Sequence, residues 1–289
     1  MRLRHILELL FTLVLATSCT SHSPAKPESR VPQRIISVVP SATEMLFAFG
    51  LSDRVVAVGD FDELPAWAGN KPRIGGLLNP NIEKIIELKP DLVITYGTQD
   101  LLRDRMKELG IRIYPFTHGS IDHTLEYMLE LGRTVDTEKK AQEIEQRIRQ
   151  TFNDVRMHAP ANRPKVLLIH SREPGELGSS YSIGSKAFQN ELIEMAGGRN
   201  IFADVDKEVM QPSIEAIFER NPDIIIETMP SAMTESDARQ RMKDWDVLAK
   251  LSAVKHKRVY VTGEDYMLVP GPRLDLAARK FAEIIGQKE

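Results

Sequence analysis

At 289 residues, 42% hydrophobic and 27% charged, with a formal net charge of −3, the chain has the composition of a folded protein long enough for two sizeable cores. That charge balance argues against a nucleic-acid partner. A single cysteine excludes a structural disulfide and a cysteine metal cluster.

The first element is an export signal, residues 1–18. Arg2, Arg4 and His5 give a positive start, and Ile6 to Ala16 form an apolar stretch too short to span a membrane, interrupted by Glu8. Ala16-Thr-Ser-Cys19 is a small-residue cleavage site carrying the only cysteine. It resembles the signal of bacterial lipoproteins, which implies lipidation of Cys19, although Leu15 stands four residues before the cysteine where three is usual. Residues 19–33, polar and proline-containing, read as a tether.

A first lobe is expected over residues 34–135. It opens with the apolar run Arg34-Ile-Ile-Ser-Val-Val39, and Ser41-Ala-Thr-Glu44 fits a capping box that starts a helix ending at Gly50. Strands follow at Val55 to Val58 and at Ile111 to Tyr114. Between them, Pro80 to Ile94 read PNIEKIIELKPDLVI: a cap at Asn81, a two-turn helix with Glu83 in its first turn, a Pro-Asp break and a buried strand.

Residues 136–160 predict a single connecting helix. From Thr137 to Met157 there is no Gly or Pro, and Ala141, Ile144, Ile148, Phe152 and Val155 recur at helical spacing over about 30 Å. Pro160 to Pro164 then mark entry to a second lobe, residues 161–289.

That lobe repeats the first. Val166 to Ile169 form a strand, a helix ends near Gly197, a short strand lies near Asn200 to Phe202, and Arg258 to Val261 form a last strand. Pro212 to Ile226 read PSIEAIFERNPDIII, identical to the first-lobe segment at eight of fifteen positions with a constant offset of 132. The expected fold is therefore α/β: two Rossmann-like lobes with parallel sheets, joined by one long backbone helix.

Arg34 to Glu44, the paired P-x-I-E helices and Pro270-Gly-Pro-Arg273 together resemble the periplasmic substrate-binding proteins for cobalamin and ferric siderophores, from about Arg34 to Gln287. The resemblance implies a monomer that holds its ligand between the lobes and delivers it to an ABC permease dimer in the inner membrane. It also implies that Glu83 and Glu215 sit on the lobe tips and pair with permease arginines. Cobalamin binders of that family draw aromatic side chains from the loops before the two P-x-I-E helices. This chain has Gly76-Leu77-Leu78 and Glu208-Val209-Met210 there.

Ligands of open α/β sheets bind at the carboxyl ends of strands. Those ends offer Ser41, Phe61 and Tyr96 in the first lobe, and His170, Arg172, Tyr181, Asp265, Tyr266 and Arg273 in the second. Tyr96 and Tyr266 suit the face of a corrinoid, whereas Arg172 and Arg273 suit an anionic ferric chelate. The bound ligand is expected to be one of these two, with no resident cofactor or protein-bound metal and no catalytic residue. A metal-ion receptor using His118, His170 and Asp265, or a haem receptor ligated by His170 or a tyrosine, is an alternative, but no clustered histidine pattern accompanies them. A hydrolase trio of Ser41, His170 and Asp265 lacks the G-x-S-x-G elbow.

Overall fold

The computed structural model describes residues 31–62, 69–97, 99–229 and 233–287. The expected signal, Cys19 and most of the tether lie outside the described residues. Val31 to Gln33, assigned to the tether, belong to the folded body: the Gln33 N–H donates to Asp91 at 2.7 Å.

In the first lobe β1 (Ile35–Ser37), β2 (Val55–Val58), β3 (Leu92–Tyr96) and β4 (Arg112–Phe116) form a fully parallel sheet in the order β2-β1-β3-β4. It is accompanied by α1 (Pro40–Ala48), α2 (Ile82–Glu87), α3 (Asp100–Glu108) and α4 (Ile121–Thr134). Then comes α5 (Glu138–Met157), the expected connecting helix, burying Ala141, Ile144, Ile148, Phe152 and Val155. At the α4–α5 crossing, a Cβ on Gly132 would lie 2.6 Å from that of Ala141, so only glycine permits this approach.

The second lobe comprises β5 (Lys165–Ser171), β6 (Tyr181–Ile183), α6 (Phe188–Met195), β7 (Arg199–Asn200), β8 (Val209–Met210), α7 (Ile214–Arg220), β9 (Ile224–Thr228), α8 (Glu235–Asp244), α9 (Ser252–Lys255), β10 (Val259–Thr262) and α10 (Leu274–Gly286). Its sheet runs β10-β9-β5-β6-β8, with β7 beside β5. This sheet is mixed where parallel pairing was expected throughout: β6 runs antiparallel to β5, and β8 to β6. Chain reversal after β5 by a short excursion, without a crossover helix, produces the difference.

The duplicated segments are the same physical device twice. Asn81 accepts the Lys84 N–H and Ser213 the Ala216 N–H, capping α2 and α7. Asp91 accepts the Arg34 N–H at 3.0 Å, and Asp223 accepts the Lys165 N–H at 2.9 Å, so each Pro-Asp aspartate anchors the entry of its lobe's central strand. Arg34 and Lys165 in turn reach back to the Leu88 and Arg220 carbonyls at the ends of α2 and α7.

The cores do not divide lobe by lobe. One cluster runs from the first-lobe sheet through α4, α5 and α10 to one face of the second sheet, including Val166, Leu168, Ile224 and Ile226. A smaller cluster around Trp245 covers the other face through Leu167, Ile169 and Ile225. The lobes should therefore unfold together: Ile148→Ala, at the fully buried centre of α5, is expected to lower stability by about 2–5 kcal/mol while leaving a single denaturant transition. Two separate transitions followed by tryptophan fluorescence and far-UV dichroism would contradict a shared core.

Candidate functional site

The helix expected to begin with a capping box begins otherwise. Pro40 occupies the first turn of α1, where its fixed φ and missing N–H are favourable, Val39 is the cap, and no side chain caps the helix. Ser41 is buried inside the helix, and the Thr43 hydroxyl donates to the Val39 carbonyl at 3.1 Å. Glu44 points to the other lobe.

There Glu44 meets Arg273, the cap of α10. The guanidinium grips Glu44 through Nε at 2.9 Å and Nη2 at 2.6 Å, and donates through Nη1 to Asp265 at 2.9 Å. Burial works against the Arg273 cation, but its bonds to Asp265 and Glu44 more than offset this and hold it protonated beyond its ordinary range. Burial raises the Glu44 carboxyl, with Arg273 opposing. A Cβ on Gly271 would reach ordinary contact distance from Ser41 and Glu44, and Arg147 of α5 donates to the Pro272 carbonyl at 2.7 Å. Pro270 to Arg273 thus form the junction where α1, α5 and α10 meet. Arg273 keeps 27% side-chain exposure, but both faces of its fork are occupied.

Arg172 is the clearest departure from expectation. Its side chain has no exposed surface. It donates to Glu227 at 3.0 Å, Asp244 at 2.9 Å and the Arg241 carbonyl at 3.1 Å, while Arg241 and Trp245 also bond Glu227. Two guanidinium groups balance two carboxylates, so the expected ligand contact is instead a closed internal network. Removing Arg172 would leave buried Glu227 short of a partner, at about 3–5 kcal/mol.

The remaining predicted residues stay near the strand ends. Tyr96 ends β3 and packs edge-on against His118, 5.0 Å between ring centroids. His118 Nδ1 lies 2.9 Å from Glu208 of the second lobe, joining the two walls. Glu208 acts on His170 as well: burial lowers the His170 pKa and the carboxylate opposes it. Phe61 is 67% exposed and Tyr181 45%, with Leu78 also exposed in the loop before α2 and Val209 in β8. Tyr266 sits under the Arg273 guanidinium at 5.8 Å, and burial followed by Glu264 pushes its hydroxyl up to about 12. Glu83 and Glu215 are exposed in the first turns of α2 and α7.

The metal-ion and hydrolase sites do not assemble. Ser41 is buried and Asp265 is held by Arg273, so no hydrolase trio forms. Among the described residues no group of three His, Cys, Asp or Glu is placed to hold a metal ion. His118, expected only as a metal ligand in the alternative reading, pairs with Glu208, and neither Glu208 nor Glu44 stood among the predicted ligand contacts. Glu208 carries no local motif that marks it in sequence, and the pairing of Glu44 is invisible at a sequence distance of 229.

Asp62, beside this junction, is buried with Oδ1 unpartnered, while Oδ2 accepts the Gly59 N–H at 2.8 Å. Burial raises its pKa from 3.8 to about 6; Thr43, Gly59 and Arg73 oppose and Glu44 adds. The folded state binds this proton more tightly than the unfolded state, so stability falls as pH rises from about 4 to about 6, by up to about 3 kcal/mol. Asp62→Asn should therefore recover on the order of 1–3 kcal/mol at pH 7.5 and little at pH 4, read by urea denaturation at both. An equal gain at both pH values would remove the buried-acid account.

The chain matches the model of a family described as "Periplasmic binding protein" over residues 35–266. An uncharacterized ABC transporter substrate-binding lipoprotein of Bacillus subtilis, YvrC, is 30% identical over 264 residues, 88% of this chain and 80% of the relative. A vitamin B12-binding protein of Vibrio cholerae is 29% identical over 243 residues, covering 83% and 84%. The crystal structure of the periplasmic vitamin B12 binding protein BtuF of V. cholerae superposes with a TM-score of 0.74 at 27% identity, covering 89% of this chain and 97% of that one. A "possible" iron-binding periplasmic solute-binding protein of Staphylococcus epidermidis superposes with a TM-score of 0.72 at 28% identity, covering 89% and 100%. The chain belongs to the periplasmic binding protein family, and both relatives are named as binding proteins, one of them as the substrate-binding lipoprotein of an ABC transporter.

Proposed function

We propose that this family member captures a corrinoid between its lobes outside the cytoplasm and delivers it, chemically unchanged, to an ABC permease. The observation that carries the ligand assignment is the engagement of both expected anion-binding arginines. Arg172 is sealed in its network with Glu227 and Asp244, and Arg273 is shared between Glu44 and Asp265. Neither guanidinium offers a free edge to an anionic ferric chelate. Tyr96, Tyr266, Phe61 and Tyr181 remain partly exposed at the strand ends, which suits a large and largely neutral ring. The vitamin B12-binding name of a relative 29% identical to this chain agrees with that choice.

The same reading places Cys19 as a lipid anchor at the periplasmic or outer cell surface and the described body as a monomer. Among the described residues no helix is long and apolar enough to cross a membrane. Glu83 and Glu215, on matched exposed turns, would meet arginines of a two-fold permease in the inner membrane.

Titration should show cyanocobalamin binding at micromolar or tighter affinity, with Tyr96→Ala and Tyr266→Ala each weakening it by about tenfold. Tight binding of a ferric hydroxamate, catecholate or citrate complex in place of any corrinoid would replace this ligand and leave the family assignment standing.

For docking, replacing Glu83 and Glu215 together by Gln should reduce transport and permease association while ligand affinity is unchanged, and wild-type association should weaken with salt. Full transport by the double variant would remove both glutamates from the interface.

A further inference from the structure

The bond between His118 and Glu208 joins the two walls of the cleft across which the ligand must lie. Both side chains are solvent-accessible, 37% and 46%. His118 is oriented by rings on its own lobe, edge-on to Tyr96 at 5.0 Å and to Phe116 at 5.8 Å. Glu208 immediately precedes β8, and its charge is felt on both walls: after burial it is the second cause raising the Tyr96 hydroxyl pKa, and it opposes the burial that lowers His170. One carboxylate therefore faces Tyr96, His118 and His170.

A ligand entering between the lobes parts this pair and leaves a carboxylate acceptor on one wall and an imidazole N–H donor on the other. The neutral group that satisfies both is a primary carboxamide, whose NH2 donates to Glu208 and whose carbonyl accepts from His118. A ligand carboxylate offers Glu208 no donor and meets a like charge. Arg172, without exposed surface, and Arg273, held by Glu44 and Asp265, are already committed elsewhere.

We propose that His118 and Glu208 are ligand contacts that exchange their mutual bond for a ligand carboxamide, and that Glu208 makes the cleft select carboxamide-rimmed ligands over carboxylate-rimmed ones. This rests on the corrinoid reading, because a corrin ring carries peripheral carboxamides whereas haem and citrate chelates carry carboxylates. It goes beyond that reading by naming the groups that discriminate.

The test is calorimetric titration at fixed pH and salt with cyanocobalamin and with each of its purified monocarboxylic acids, made by mild hydrolysis of single peripheral amides. Wild-type protein should bind at least one acid about tenfold or more weakly than the parent, as expected when a like charge replaces a hydrogen-bond donor. Glu208→Gln should bring that acid to within about threefold of cyanocobalamin, because the amide side chain has no charge and can donate. His118→Ala should weaken both while keeping their ratio. Equal wild-type affinity for cyanocobalamin and every acid, or discrimination unchanged in Glu208→Gln, would overturn the inference with the corrinoid reading intact. Wild-type binding of no corrinoid at all would remove that reading and this inference with it.

Discussion

One guanidinium sets the geometry of this molecule. Arg273 joins a carboxylate from the first helix of one lobe to a carboxylate at the strand end of the other, with Arg147 of the connecting helix bonded to the same loop. An ion pair this enclosed is not by itself strong evidence for stability, since desolvation offsets much of the attraction. Its effect is on specificity of placement. Once Glu44 is held by a bidentate fork it cannot close a capping box on its own helix, so α1 starts instead at Pro40 and Ser41 turns inward. The same fork withdraws Asp265 from solvent chemistry. What remains at the strand ends is a surface of rings and histidines facing the single carboxylate of Glu208.

The Arg273 and His118 links between the lobes differ in kind. The Arg273 junction is doubly bonded, partly buried and backed by a hydrophobic cluster that continues through α5 and α10 into the second sheet. The His118 and Glu208 pair is single and more exposed, in the class of contacts worth about 0–1 kcal/mol. A perturbation between the lobes will therefore break the second long before the first. The fold builds a stiff base and an easily opened mouth, which fits small relative lobe motion better than a large hinge closure.

Much of this architecture was legible because it is local. The caps at Asn81 and Ser213, the buried stripe of α5 and the Pro-Asp entries to two strands each depend on residues within a few positions, or on a repeat that shows the same solution twice. What escaped was long-range. Ser41 to Glu44 satisfied a local rule that a partner 229 residues away overruled, and Arg172 gave no sign in sequence of the Glu227 that buries it. An arginine at a strand end is equally suited to a ligand and to a closed network, and only its neighbours in space decide. Length allowed two cores, but it carried no sign that packing of α10 on α5 would run one of them through both lobes. Strand direction in the second sheet was similarly hidden, because β6 and β8 span only three and two residues.

The duplication also constrains how a bound state can be presented to a partner. Glu83 and Glu215 sit at matched turns of α2 and α7; α2 packs on the larger cluster through Ile85 and α7 on the smaller one through Ile217, and the two sheets beneath them are joined by the larger cluster. A two-fold partner that gripped both tips would meet nearly the same spacing with the cleft empty or full. Any distinction between the two states must then come from segments that are locally free to shift. Glu208 lies on the stretch that leads directly into the Ser213 cap of α7, so parting it from His118 acts on the approach to one tip and not the other. Under the proposed reading the ligand signal is therefore asymmetric: the second-lobe tip responds to occupancy, while the first-lobe tip, preceded by a loop without that contact, serves as a fixed point of attachment.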